Sequence, residues 1–101
     1  MRYLVRLSDR ALRDLEAIYN FIEAETSEKA FAWFNDLTEK IYSLELQPER
    51  GALTPESKRF RHLLFGGKPD TYRIIYAVDK RNHAVNVLHV RHGARGRRIV
   101  V

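Results

Sequence analysis

Several features that many functional classes require are missing from this sequence. It has no cysteine, which excludes disulfides and thiolate metal sites. Its apolar runs stay well short of the roughly 18 residues of a membrane-spanning helix, and its first residues lack the apolar stretch of a secretory signal. Glycine is sparse, and Gly66-Gly67 is followed by Lys68-Pro69, so no helix continues from it as in a phosphate-binding loop. We therefore expect a single cytoplasmic domain over residues 1–101.

Metal-ligand spacing is missing as well. The sequence has no His-x-x-x-His pair. His89 and His92 are three residues apart, and on a strand they would point to opposite faces of the sheet. The serines fall where caps, a helix and a loop are expected, with no base spaced to activate them. We therefore expect no metal ion and no cofactor, and serine hydrolysis is disfavoured.

Charge is divided unevenly between the two parts of the chain. Residues 1–56 carry 7 Lys and Arg against 11 Asp and Glu, a net charge of −4. Residues 57–101 carry 11 Lys and Arg against 2 Asp and Glu, a net charge of +9, and no acid follows Asp79. Such a basic region is typical of a surface that meets a polyanion or an acidic protein, although a solvated basic edge has the same composition.

The first half of the chain predicts one short strand and two helices. Residues 2–7 alternate as a strand does. Ser8 is placed to cap a helix whose apolar residues form one stripe and which ends around Glu25. A second apolar stripe follows and stops at Gln47-Pro48, because the residue before proline avoids the helical conformation. Two helices with a short link make a helical hairpin.

The second half predicts strands. Residues 48–58 contain Pro48, Gly51 and Pro55 and indicate a surface loop. Three runs rich in β-branched and aromatic residues follow, at 60–65, 71–78 and 84–90. Short links favour an antiparallel three-stranded meander. The order β-α-α-β-β-β predicts an α+β fold in which the helical hairpin packs on one face of the sheet.

The candidates for chemistry lie on the predicted strands or just beyond the last one, and they are His62, Arg73, His92 and Arg95. A metal-free ribonuclease needs a base for the 2′-hydroxyl, an acid for the leaving oxygen and a cation for the phosphorane. Histidine serves the proton transfers near neutral pH, and the planar fork of arginine suits phosphate. His92 and Arg95 lie beyond the predicted end of the last strand, where functional loops are common.

Each of these residues also has a structural interpretation. His62 and His89 alternate with apolar residues and fit as satisfied core histidines. Arg73 fits at the rim of the sheet, paired with a helix carboxylate. Tyr72 and Tyr76 share one strand parity with apolar neighbours and fit in the core.

Taken together, the motifs resemble those of the ParE/RelE toxin superfamily, from Tyr3 to Arg95. The resemblance is carried by Leu15-x-x-Ile18-Tyr19-x-x-Ile22, Ala30-x-x-x-Phe34, Leu44 with Pro48 and Gly51, Tyr72-Arg73-Ile74-Ile75-Tyr76, and Val87-Leu88-His89-Val90-Arg91-His92-Gly93-Ala94-Arg95. It implies a type II toxin–antitoxin module, also called a plasmid stabilisation system. The resemblance further implies a cognate antitoxin that neutralises the toxin, with operator DNA bound only through their complex.

The superfamily has two activities, and the resemblance leaves both open. RelE-like members are mRNA interferases that cut messenger RNA on the ribosome, whereas ParE-like members poison DNA gyrase. By resemblance, Arg73 matches the third-strand arginine of the RelE-like enzymes and His92 falls near a C-terminal catalytic histidine. However, no Tyr or Phe follows Tyr76 to stack on a nucleobase. The ending Gly93-x-Arg95 also looks more like ParE, so we expect a gyrase inhibitor, with the endoribonuclease as the alternative.

Two sets of residues are expected to bind partners. The basic residues expected to contact the target are Arg91, Arg95, Arg97 and Arg98. The aromatic residues expected to contact the antitoxin are Phe31, Trp33 and Tyr42, which lie beside the apolar stripe of the second helix. These aromatics would equally fit as filling between the hairpin and the sheet. A non-toxic scaffold that only binds antitoxin is a third interpretation of the chain.

Overall fold

The computed structural model describes residues 2–67 and 70–93. In chain order the elements are β1 (Leu4–Leu7), α1 (Asp9–Phe21), α2 (Glu28–Tyr42), a 3₁₀ turn (Ser43–Glu45), β2 (Ala52–Thr54), β3 (Ser57–Phe65), β4 (Tyr72–Asp79) and β5 (Ala84–His92). Neither helix has both the length and the apolar character needed to cross a membrane.

Both helices begin at serine caps. The Ser8 Oγ accepts a hydrogen bond from the Ala11 N–H at 2.9 Å, and the Ser27 Oγ accepts one from the Ala30 N–H at 3.2 Å. Each bond satisfies one of the amide groups that a helix N-terminus leaves unpaired. The first helix ends at Phe21, earlier than predicted, and Glu23 in the following turn has a left-handed φ of 57°.

The strands form one five-stranded sheet with the order β1-β5-β4-β3-β2. The pairs β2–β3, β3–β4 and β4–β5 are antiparallel, whereas β1 pairs with β5 in parallel. The predicted α+β fold is confirmed. The prediction of a loop over 48–58 was wrong: β2, Ala52–Thr54, lies inside this segment and lengthens the meander by one strand, and β3 begins inside it as well, at Ser57.

One face of the sheet carries both helices. The buried core joins Ala11, Leu15 and Ile18 of α1 and Leu37 and Ile41 of α2 to the sheet residues Leu63, Tyr72, Ile74, Tyr76, Val85, Val87 and Val90. We call this the helix side. Successive residues of a strand point to opposite faces, so Arg73 and Ile75 point the other way. The far face is accordingly defined by these two residues and by their register partners Leu64, His62, Arg91 and His89.

The C-terminal part of β5 extends beyond β1, and its exposed backbone edge is covered by two side chains, those of Ser8 and of Asp14 in α1. β1 pairs with β5 only as far as Val87. Beyond that point the Ser8 hydroxyl donates to the Leu88 carbonyl at 3.0 Å, and the Val90 N–H donates to the Asp14 carboxylate at 3.0 Å. Two polar side chains thus replace the strand that would otherwise pair with this edge.

Candidate functional site

Three charged or titratable side chains meet on the far face of the sheet. The Arg73 Nε donates to the His62 Nδ1 at 3.0 Å. The two terminal nitrogens of Arg73 donate to the two carboxylate oxygens of Glu56 at 3.3 and 3.4 Å. The side chain of Arg73 is only 13% exposed and that of Glu56 is 29% exposed. We call these three residues the arginine cluster.

Strand register and a bulge bring the cluster together. Leu64 lies opposite Arg73 and His62 lies opposite Ile75, so His62 and Arg73 are diagonal neighbours on one face. Between β2 and β3 the register jumps from Leu53 opposite Arg61 to Thr54 opposite Ser57. This irregularity bends the hairpin, and its two-residue turn at 55–56 places Glu56 over Arg73.

Electrostatics in the cluster favour the carboxylate and the neutral imidazole. The hydrogen bond from Arg73 lowers the pKa of Glu56. Burial lowers the pKa of His62, and the positive charge of Arg73 lowers it further. A neutral His62 is also what the geometry requires, because its Nδ1 accepts the Arg73 N–H.

A second histidine of the far face lies at the covered edge of β5. The His89 Nδ1 is 3.9 Å from the Asp14 Oδ2, and it has no hydrogen-bond partner among the described residues. Burial lowers the pKa of His89, and the charge of Arg10 adds to this effect. Asp14 is already engaged by Arg10 at 3.3 Å and by the Val90 N–H.

His92 lies on the helix side. It is the register partner of Tyr72, and the two rings meet edge to face with 5.1 Å between their centroids. The His92 Nε2 is 3.1 Å from the Asp70 Oδ1. His92 had been expected just past the last strand, but it is the final residue of β5. It lines a groove of about 350 Å³ between α1 and β5, together with Phe21 and Tyr72.

The four candidate catalytic residues are therefore not gathered in one place. His62 and Arg73 touch each other on the far face, whereas His92 lies on the helix side. The strand parity that separated His89 from His92 is confirmed. Arg95 lies outside the described residues, as do the target-binding candidates Arg97 and Arg98; their fellow candidate Arg91 is the register partner of Arg73.

The three aromatic residues expected to bind an antitoxin have different environments. Phe31 is 46% exposed and Tyr42 is 49% exposed, and their spacing of eleven residues, about three helical turns, places them on one side of α2. Trp33 instead packs on the core, with its ring 5.2 Å from that of Phe65 and 5.5 Å from that of Tyr72. The interpretation of Trp33 as filling between hairpin and sheet fits this contact.

The sequence reasoning missed the acidic partners of these basic residues. Arg73 pairs with Glu56 in a turn and not with a helix carboxylate, and Asp14 and Asp70 accompany His89 and His92. The sequence offered only one sign that Glu56 pairs with a basic residue, namely its position beside Pro55 and just before a strand rich in Lys and Arg. Within residues 2–67 and 70–93, no three His, Asp or Glu side chains are grouped as a metal site requires.

The two far-face histidines predict how stability depends on pH. Their pKa values are lower in the folded protein than the ordinary 6.5, so the unfolded chain binds more protons near pH 6. The free energy of unfolding should therefore fall as the pH drops below 6.5 toward the folded pKa values. Urea unfolding between pH 7.5 and about 5.5 measures this slope.

The matched variants are His62→Gln and His83→Asn. His62→Gln should flatten the pH dependence because it removes one of the two groups. His83 is exposed at a left-handed φ of 50°, which asparagine tolerates, so His83→Asn is the matched control that also removes one histidine. Equal slopes for both variants would contradict the role of His62.

The fold is shared with solved toxin–antitoxin proteins. A chain of the chromosomal ParDE system from P. aeruginosa is 22% identical with a TM-score of 0.70, and the match covers 90% of this chain and 96% of that chain. A mutant of the E. coli toxin RelE in the free state is 16% identical with a TM-score of 0.67, covering 95% and 88%. A RelBE toxin–antitoxin complex from Mycobacterium tuberculosis gives 26% identity and a TM-score of 0.60, covering 91% and 99%.

The family assignment follows from the sequence itself. The family model described as the ParE toxin of the type II toxin–antitoxin system parDE matches residues 5–97. The predicted membership in the ParE/RelE superfamily is thus confirmed, and the molecule is a toxin of the type II toxin–antitoxin class. The chain belongs to the ParE toxin family. No curated protein matches it.

Proposed function

We propose that this toxin inhibits growth in the ParE manner, by binding and poisoning DNA gyrase in the cytoplasm without a catalytic step of its own. A cognate antitoxin neutralises it, and operator DNA is bound only through the toxin–antitoxin complex. The match to the ParE family model supports the assignment at the level of the family.

The observation that carries the proposal is the separation of the candidate catalytic groups. General acid–base cleavage needs two proton-transfer groups within hydrogen-bond reach of one phosphodiester. His62 and Arg73 lie on the far face and His92 lies on the helix side, held there by Tyr72 and Asp70. The sheet stands between them, which supports a function that does not need them to act together on one phosphate.

Other features fit a protein that works by binding. The stripe Phe31, Asn35, Thr38 and Tyr42 runs along one side of α2 with an exposed aromatic ring at each end, which suits an amphipathic antitoxin helix. For the target we propose the basic residues Arg91, Arg95, Arg97 and Arg98. The P. aeruginosa ParDE and M. tuberculosis RelBE structures are themselves toxin–antitoxin systems, which supports a partner of that kind here.

The alternative function is a RelE-like mRNA endoribonuclease. Its support is the contact of His62 with Arg73 and the position of Arg91 opposite Arg73 on the same face. His62 would then transfer protons and the two arginines would stabilise the phosphorane. The alternative ranks second because the Nδ1 of His62 already accepts a hydrogen bond from Arg73, and the other candidate histidine, His92, lies on the helix side.

One experiment separates the two functions. The toxin is induced without its antitoxin, and new RNA 5′ ends and an SOS reporter are read from the same culture. We expect SOS induction and intact messenger RNA, and with purified gyrase and plasmid an accumulation of cleaved DNA complexes. New cuts within reading frames with a silent reporter would replace the proposal by the endoribonuclease.

A further inference from the structure

Arg73 presents its planar fork to a carboxylate from the same chain. Each terminal nitrogen faces one oxygen of Glu56, in the paired arrangement by which arginine binds carboxylates in general. Glu56 therefore occupies the position that the carboxylate of a binding partner would take. The far face thus has a built anion site whose occupant is intramolecular.

The attachment of Glu56 is weak. Its two bonds to Arg73 are long, at 3.3 and 3.4 Å, and its side chain is 29% exposed, so solvent screens the pair. The turn that carries it is tied mainly through Thr54, whose Oγ1 donates to the Ser57 carbonyl at 2.8 Å. The register jump leaves residues 58–60 in a bulge between the last two pairs of β2 with β3. A competing carboxylate would therefore have to break only the two long bonds between Glu56 and Arg73 and move the turn at 55–56.

Arg73 itself is held firmly without Glu56. Its backbone lies in the middle of the sheet between β3 and β5, and its Nε is bonded to His62. The guanidinium would therefore keep its orientation when Glu56 leaves, which lowers the entropy cost of binding a partner.

We propose that the Glu56 turn is a displaceable cover on an acidic-peptide site, in which a carboxylate of a bound peptide replaces Glu56 on the fork of Arg73. The inference holds whether the toxin acts on gyrase or on messenger RNA.

The surroundings of Arg73 favour a peptide over a nucleic acid. Its register partner Leu64 is 54% exposed, and an aliphatic side chain neither stacks on a base nor hydrogen-bonds to one. A peptide with an acidic residue next to an apolar one could place its carboxylate on Arg73 and its apolar side chain on Leu64. The charge of this surface also favours an acidic partner. Residues 57–101 have a net charge of +9, and on the β5 side the register partner of Arg73 is Arg91.

The test uses Glu56→Gln with Glu49→Gln as the matched control. Glu49 also takes part in exposed ion pairs, 3.4 Å from Arg61 and 3.2 Å from Lys80. Each Glu→Gln substitution removes one negative charge, so the two variants have the same net charge. The probe is a labelled short peptide of alternating glutamate and leucine, titrated into the full chain at fixed ionic strength. We expect Glu56→Gln to bind it about fivefold more tightly than the wild type, because a solvent-exposed ion pair is weak and its loss gives a gain of this order. Glu49→Gln should change the affinity less than about twofold.

A second measurement locates the effect. The NMR signal of the Arg73 Nε–H should shift when the peptide binds, both in the wild type and in Glu56→Gln. In Arg73→Lys, which keeps the charge and loses the fork, the gain from Glu56→Gln should vanish.

Three results would overturn the inference. The first is an equal gain in affinity for Glu49→Gln, which would reduce the effect to net charge. The second is a peptide that binds without moving the Arg73 signal. The third is an oligouridylate of equal charge that binds more tightly than the peptide and shifts the Arg73 signal, which would make the site one for nucleic acid.

Discussion

Gly51→Ala is expected to lower the free energy of unfolding by about 3 kcal/mol. A Cβ at this position would lie 2.6 Å from the His62 carbonyl oxygen and 2.7 Å from the Tyr76 hydroxyl. Neither atom can move easily, because one belongs to the ladder of β3 and the other to a fully buried side chain. The Gly51 N–H also donates to the Tyr76 hydroxyl at 2.9 Å, and the displaced bond would leave both groups buried and unpaired.

Two further variants separate the causes. Tyr76→Phe keeps the volume and removes only the hydroxyl, so it should cost about 1–2 kcal/mol. Gly67→Ala is the neutral control, because nothing lies within 4 Å of its added Cβ. Chemical denaturation of all three measures the differences. A Gly51→Ala protein as stable as Gly67→Ala would show that the close approach of Gly51 to β3 and β4 is absent in solution.

The second large effect concerns growth inhibition. Removing residues 94–101 is expected to abolish toxicity, whereas His92→Gln should leave it within a few-fold of the wild type. The truncation removes Arg95, Arg97 and Arg98, three of the four proposed target contacts. It retains Gly93, whose N–H donates to the Thr71 carbonyl at 2.7 Å and closes the end of β5. Viable counts after induction without antitoxin give the readout.

His92→Gln tests a catalytic role of His92 itself, whereas an endoribonuclease that relied on His62 and Arg73 is distinguished by the RNA 5′ ends and the SOS reporter. A general acid or base contributes about 10²–10⁴-fold to a rate, so an endoribonuclease that used His92 would lose nearly all activity. Circular dichroism and a thermal unfolding curve establish that each variant is folded. A folded His92→Gln protein without toxicity would contradict the gyrase proposal and return attention to RNA cleavage.

Local signals in the sequence were sufficient to predict the helices and the inner strands. The caps at Ser8 and Ser27 act through bonds to amides three residues away, so composition at a helix start is informative. Strand parity was equally reliable, since it placed Tyr72, Ile74 and Tyr76 together in the core. The early end of α1 escaped prediction, since the apolar stripe continues to Ile22 while the backbone turns.

Long-range arrangement could not be predicted in the same way. The parallel pairing of β1 with β5 joins the two ends of the described chain, and nothing in residues 2–7 specifies that partner. The position of Glu56 depends on a bulge, and a bulge follows from how two strands compete for register. The sequence therefore predicted two members of the arginine cluster, His62 and Arg73, but not the third, Glu56, whose carboxylate covers Arg73.

The parallel pairing of β1 and β5 also fixes when the sheet can be completed. Leu4 pairs with Ala84, and the Ser8 hydroxyl bonds to Leu88, eighty residues away along the chain. The strands β3, β4 and β5 form through short connections, whereas β1 must wait for a large loop to close. During synthesis, β1 and α1 are made long before β5, the strand with which β1 pairs, so this pairing forms late. The toxin therefore reaches its complete fold only after nearly the whole of the described chain has been synthesised.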